Sequence, residues 1–442
     1  MNTYKKWRGQ VVGVNKKVPL SNNRLSTYVN FDNAATTPPF KSVIERITEF
    51  AGWYSSIHRG KGYKSRLCST IYEEARGDIL NFVKADPDYY TPIYVKNTTE
   101  AINKLAYTLG QDTDNRNIII TTSMEHHSND LPWRKYFKVE YIKLNEKGQL
   151  SLDDLESKLI KHRGKVRLVT VGGASNVTGY LNPIYQIAGL AHKYGTEVMI
   201  DGAQLIPHHP VEMSPKKAGE RLDYLAFSGH KMYAPFGTGV LIAPQKTFAS
   251  NTPDQVGGGT VDIVTPDFVR WHTPPHKEEA GSPNLMGIVA LTEAIKILNE
   301  FGMESILNHE KRLTDYTLKR LNKIPDVILY GNKFNSKDRL GIIPFNIDGL
   351  SHESIATILA GEGGIAVRNG CFCAQPYVQQ LLNISEQEIR ARINNPDLPH
   401  PGLIRISFGL YNTFQEIDRL IDMVKVIVSN KEYYYRKTKI NF

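Results

Sequence analysis

The segment LAFSGHK closes an apolar run with Ser228, His230 and Lys231, and a second run, VMIDGAQ, closes with Asp201 and Gln204. A lysine at the end of a buried strand is desolvated, which depresses its pKa and leaves a neutral amine able to attack a carbonyl. A third stretch, KNTTEAINKLA, sets Thr98 and Thr99 just ahead of a helical pattern, where hydroxyls and free backbone amides suit a phosphate. Lysine, acid and phosphate cradle together are the requirements of a pyridoxal 5'-phosphate site. The lysine forms a Schiff base with the aldehyde, the acid keeps the pyridinium nitrogen protonated, and the cradle anchors the phosphate. Each signal alone has an ordinary explanation, because a single lysine after a strand commonly snorkels and a single aspartate commonly caps a turn. Their order and grouping carry the reading.

These residues need a scaffold that ends several strands at one edge. NIIITT, VEYIKL, VRLVTV, EVMID, DYLAF and GVLIAP read as strands by length and β-branched content, with amphipathic stretches between several of them. The alternation predicts an α/β domain on a mostly parallel central sheet, whose ligands gather beyond the carboxyl ends of the strands. In NPIYQIAGLAHKYG, Asn182 is expected to cap a helix that starts at Pro183, buries Ile184, Ile187, Ala188 and Ala191, and closes at Gly195. Beyond about residue 300 the pattern changes to long helices with a few strands (VILYG, LGIIPFNI, IAVR, LIRISF), and the last helix opens on a capping box, Thr413 and Glu416. The expected organisation is a basic arm over 1–28, a large domain over 29–300 and a smaller α+β domain over 301–442.

Composition bounds the remaining function classes. The chain has 442 residues, 41% hydrophobic and 22% charged, with no apolar run of membrane-spanning length and no apolar leader, so a cytoplasmic protein is expected. Its net charge of +9 lies wholly in the ends before Asp32 and after Asn430. The body between them is neutral, which argues for solvated basic arms and against a nucleic-acid surface. Three cysteines, Cys68, Cys371 and Cys373, form no disulfide framework. The adjacent histidines His126 and His127, and His208 and His209, lack completing ligands, so no metal is expected. No GxGxxG or GxSxG arrangement supports a dinucleotide fold or an esterase.

At the level of ordered motifs the chain resembles the cysteine desulfurases, within the class V aminotransferase group of fold-type I pyridoxal-phosphate enzymes. The resemblance runs through EHHSNDLPW, IDGAQLIPHHP, FSGHKMYAPFGTG, EAGSPN, GIAVRNGCFCAQP and IRISFGLYNT, from YVNFDNAATTP to the final helix.

It implies that Lys231 binds the cofactor aldehyde, Asp201 pairs with the ring nitrogen, Gln204 bonds the ring hydroxyl and His126 stacks on the ring. Asn176 borders cofactor and substrate, while Thr98, Thr99, Ser228 and His230 hold the phosphate. Ser282, in EAGSPN, reaches the phosphate of a neighbouring subunit, which implies a homodimer. Arg405 clamps the substrate carboxylate with its planar fork. Arg368, His58 and Arg59 match further active-site positions. Cys373, five residues after Arg368, stands at the reactive-cysteine position, so L-cysteine is expected to yield L-alanine and a persulfide on Cys373, for delivery to a sulfur-acceptor protein. The same scaffold also hosts selenocysteine lyases, cysteine-derivative lyases, epimerases and aminotransferases, which stay open here. The sequence departs from the family pattern at Cys371 and Phe372, just ahead of the reactive position. It departs again in the extended 374–404 segment and at Ser282, which replaces a threonine.

Overall fold

The computed structural model describes residues 3–440 apart from 59, 112, 113 and 218. Seven strands form the central sheet, in spatial order Tyr90–Val95, Gly239–Pro244, Tyr224–Ser228, Glu197–Asp201, Val166–Gly172, Ile118–Thr122 and Lys138–Ile142. The last five run parallel, and Gly239–Pro244 is antiparallel to both of its neighbours. Successive residues of one strand feed two different cores. Ile118 and Ile120 face one cluster and Ile119 the other, and Val198 and Ile200 oppose Met199 in the same way. This period of two, apolar on both faces, is why these strands read as continuous hydrophobic runs.

All six strands expected in this sheet form. The seventh, Tyr90–Val95, escapes a sequence pattern because it contains Pro92. Proline donates no ladder hydrogen bond and is tolerated here because the strand lies at the sheet edge.

The helix Ile184–Lys193 buries Ile184, Ile187, Ala188 and Ala191 as expected, but Asn182 does not cap it. Its amide donates instead to Gly172 O at 2.7 Å, tying the loop to the end of the neighbouring strand. The capping box of Thr413 and Glu416 is present.

The second sheet has four antiparallel strands, ordered Val327–Leu329, Ile342–Ile347, Leu403–Ser407 and Arg368–Gly370. Its core also takes in Val29 and Phe31, because Val29–Asn30 pairs in parallel with Ile365–Ala366. The amino-terminal segment is not a free solvated arm. Trp7 is 2% exposed and stacks on Phe301, and Arg8 donates to Glu416 at 2.8 Å. One buried indole outweighs the solvation of the nearby lysines, an effect that net charge does not register. The extended segment after Cys373 folds into two short helices, Gln375–Leu381 and Glu386–Asn394, the second burying no residue. Among the described residues no helix is long and apolar enough to cross a membrane.

Candidate active site

The carboxyl ends of the parallel strands open into a cavity of about 510 Å³. Its floor is built by chain order alone. Asp201 is the last residue of one strand, and Lys231 ends the short turn Gly229–Lys231 that follows the adjacent strand. Burial drives the Lys231 ammonium down to about 8, opposed by the nearby Asp201 carboxylate. The Asp201 carboxyl is pushed above its usual range by the same desolvation, although the Ala203 amide donates to it at 2.9 Å. A buried carboxyl in this condition favours a cationic partner. Gln204 donates through Nε2 to Ala34 O at 2.7 Å, and its Oε1 is buried without a hydrogen-bond partner among the described residues.

On one side the helix Thr98–Gly110 points its amino terminus at the cavity, capped by the Asn97 side chain. Ser228 Oγ lies 2.7 Å from Thr98 Oγ1 and accepts from the Thr98 amide at 2.8 Å, while Thr99 Oγ1 lies 2.7 Å from Ser128 Oγ. The close approach requires glycine at 239, where a Cβ would fall 2.7 Å from Asn97 Cα. Hydroxyls and the positive end of a 13-residue helix make an anion site. His126 and His230 are both held neutral, each near about 4, by burial and then by the charge of Lys231. The Ser128 amide donates to His126 Nδ1 at 3.1 Å, which assigns the ring proton to Nε2.

The opposite wall comes from the second sheet. Arg405 is 3% exposed and donates to Asn176 O at 2.9 Å and to Asp32 Oδ1 at 3.2 Å; its Nε is buried without a partner among the described residues. Desolvation lowers this guanidinium to about 10. Arg368 reaches the other oxygen of Asp32 at 3.2 Å. Cys373 is exposed on the cavity rim, with both it and Phe372 at a φ of 54°. The His127 amide donates to Cys373 O at 2.6 Å, and Asn176 Nδ2 to Phe372 O at 2.7 Å. Cys371 differs: its thiol donates to Pro401 O at 2.9 Å and is pushed up by burial and by the neighbouring Cys373.

Thus Thr98, Thr99, His126, Asn176, Asp201, Gln204, Ser228, His230, Lys231, Arg368, Cys373 and Arg405 line one cavity. Ser282 lines a separate depression with Lys96, Gln255 and Glu278, and His58 faces Glu73 and His276 instead. Arg59 lies outside the described residues.

Sequence reading gave no role to Asp32 or Glu125. The first bridges two arginines of the second sheet. The second is a buried carboxyl raised to about 8 by desolvation that accepts from Thr122, Asn129 and the Gly172 amide. Asp32 stood inside the quoted motif FDNAATTP, but its partners lie more than three hundred residues away.

The unpartnered acceptor of Gln204, the desolvated acid and the anion cradle fit the hydroxyl, ring nitrogen and phosphate of pyridoxal phosphate, and the Lys231 amine in the same cavity fits its aldehyde. Such a site at the carboxyl edge of a mostly parallel sheet defines a fold-type I pyridoxal-phosphate enzyme. Residues 29–420 match the aminotransferase class-V family, to which this chain belongs. It is 31% identical to the cysteine desulfurase of Haloferax volcanii, with 90% of this chain and 88% of that protein covered. It is also 33% identical to a probable cysteine desulfurase of Halalkalibacterium halodurans, covering 92% and 94%. Among solved structures, an apo cysteine desulfurase from Thermococcus onnurineus superposes with a TM-score of 0.81 at 31% identity, covering 94% of this chain and 98% of that one. The cysteine desulfurase CsdA of Escherichia coli gives 0.79 at 28%, covering 96% and 98%.

Proposed function

We propose that this chain is a cysteine desulfurase that takes sulfur from L-cysteine, leaving L-alanine and a persulfide on Cys373. The observation that carries the reading is that Cys373, Lys231 and Arg405, from two different sheets, line a single cavity. Bound pyridoxal phosphate supplies an aldehyde for the substrate amine and a protonated ring that withdraws electrons from Cα. Asp201 sustains that ring charge, and the hydroxyls of Thr98, Thr99 and Ser228 hold the phosphate. Arg405 receives the substrate carboxylate, and its buried Nε is an unused donor for that purpose. Lys231, with its amine near about 8, removes the Cα proton. The Cys373 thiolate then attacks the substrate sulfur. An S–S bond forms as the C–S bond breaks, the bonding electrons stay on the three-carbon fragment, and protonation releases alanine.

Cys373 is favoured over Cys371 because it is exposed and its backbone is held from the opposite wall, whereas the Cys371 thiol is hydrogen-bonded and harder to ionise. The test is release of alanine and sulfide from L-cysteine. Cys373→Ser is expected to abolish sulfur release while retaining the cofactor, and Cys371→Ser to keep most of the activity. Full turnover by Cys373→Ser overturns the persulfide assignment. The reading extends to a cytoplasmic homodimer in which Ser282 reaches the neighbouring subunit's phosphate site, with a protein as sulfur acceptor. Its support is the resemblance together with the position of Ser282 away from its own chain's cavity.

A further inference from the structure

Outside the cavity, the helix Tyr63–Phe82 presents Glu73 between two imidazoles, His58 from a loop and His276 from the short turn His276–Glu278. The His58 Nδ1 lies 4.0 Å and the His276 Nδ1 3.9 Å from the same oxygen, Glu73 Oε1, and all three ligand atoms fall within 4.8 Å of one another. These separations are too long for hydrogen bonds. Glu73 Oε1 is accordingly a buried carboxylate oxygen with no hydrogen-bond partner among the described residues. A buried anionic acceptor without a donor is costly, and a cation between the three groups removes that cost. Bonds of about 2.0–2.2 Å to a tetrahedral zinc ion place ligand atoms roughly 3.4 Å apart, so side-chain rotations of about half an ångström close the set.

The surroundings favour the same occupant. Arg76 Nε donates to the other oxygen, Glu73 Oε2, at 2.9 Å, which orients the carboxylate as outer-shell donors do at metal centres. The charge of Arg76 is matched by a two-pronged pair with Glu279, at 2.8 Å for each nitrogen, so the cluster retains the negative charge of Glu73. The two imidazole rings stand 5.3 Å apart at 77°, so both can turn a ring nitrogen toward the space beside Glu73 Oε1. Two nitrogens and one oxygen suit zinc and its first-row neighbours better than magnesium or calcium.

We propose that His58, Glu73 and His276 form a binding site for a divalent transition metal, zinc by preference, which laces the His58 loop and the short His276–Glu278 turn to the helix. The proposal departs from the expectation that the chain lacks a metal site, and none of its three ligands lines the Lys231 cavity. The three ligands share no short motif, so no local pattern points to them.

The test uses full-length, untagged, cofactor-bound protein stripped with a chelator and titrated calorimetrically with zinc sulfate. Cobalt is then substituted, and its absorption is read as the difference from the metal-free protein. One zinc per chain is expected, with a raised thermal midpoint and a cobalt spectrum free of thiolate charge transfer. Affinity should fall by at least about 100-fold in Glu73→Gln and in His276→Ala, more than loss of an outer-shell partner produces. It should be unchanged in a Cys371→Ser/Cys373→Ser double variant. If Glu73→Gln fails the circular-dichroism check of folding, His58→Ala and His276→Ala carry the comparison. Affinity unmoved by the histidine variants, cobalt bands of thiolate ligation, or failure to bind zinc overturns the proposal.

Discussion

The wall that carries Lys231 and the loop that carries Cys373 face one cavity, yet they are held by opposite means. Lys231 is half-buried just beyond a strand buried at every position, and its neighbours Asp201, Gln204 and Ser228 are buried. Desolvation there sets charge states: an amine near 8 and two neutral histidines near about 4. Cys373 is exposed, and it and Phe372 are consecutive non-glycine residues in the left-handed region, a conformation costing about 1–3 kcal/mol per residue. Two hydrogen bonds from the first sheet's loops, to Phe372 O and Cys373 O, hold that backbone in place. One wall thus tunes its chemistry by burial and the other by backbone strain clamped from across the cavity.

The largest effect should come from breaking the buried wall. In the proposed mechanism Lys231→Ala removes both the covalent attachment and the general base, so turnover should drop by at least about 10⁴-fold. Mass spectrometry after borohydride treatment should find no cofactor adduct on the chain. An adduct at another lysine refutes this division of roles.

Next, Arg405→Lys keeps the charge but loses the planar fork, and kcat/KM should fall by about 10–100-fold, mainly through KM. A change confined to kcat would instead place Arg405 in the chemistry rather than in binding.

A smaller effect tests the clamp. Asn176→Ala deletes the hydrogen bond to Phe372 O, worth about 1 kcal/mol, so the sulfur-transfer step should slow by about 5–10-fold while cofactor affinity changes less. Equal losses in both would show that Asn176 serves the cofactor wall as well as the loop.

The finest test is electrostatic. The neutral amine is the reactive form, so the rate at which cofactor-free protein captures pyridoxal phosphate should rise with pH and reach half its maximum near about 8. Asp201 raises the lysine pKa, so Asp201→Asn should move that midpoint downward. A midpoint at the ordinary lysine value of about 10.4 would show that burial does not tune Lys231.

Much of the first wall was legible in the chain because its residues follow one another along strands and turns. A strand of period two dictates that Asp201 ends one run and that Lys231 lies three residues beyond the next. The Asn182 cap failed for a reason no local pattern contains: its amide found a backbone carbonyl on a neighbouring strand. The burial of Trp7 was hidden by the charges around it, and the strand at Tyr90–Val95 by its proline.

By itself the sequence determined the apolar runs, the order of the motifs and the residue types at each strand end, since these depend on local propensity and spacing. Tertiary structure alone decided that Asp32 joins Arg368 to Arg405, that Cys373 shares a cavity with Lys231, and that Glu73 meets His58 and His276. Those meetings depend on how two sheets and their loops pack, and packing is set by the sum of many buried contacts that no short stretch of chain contains.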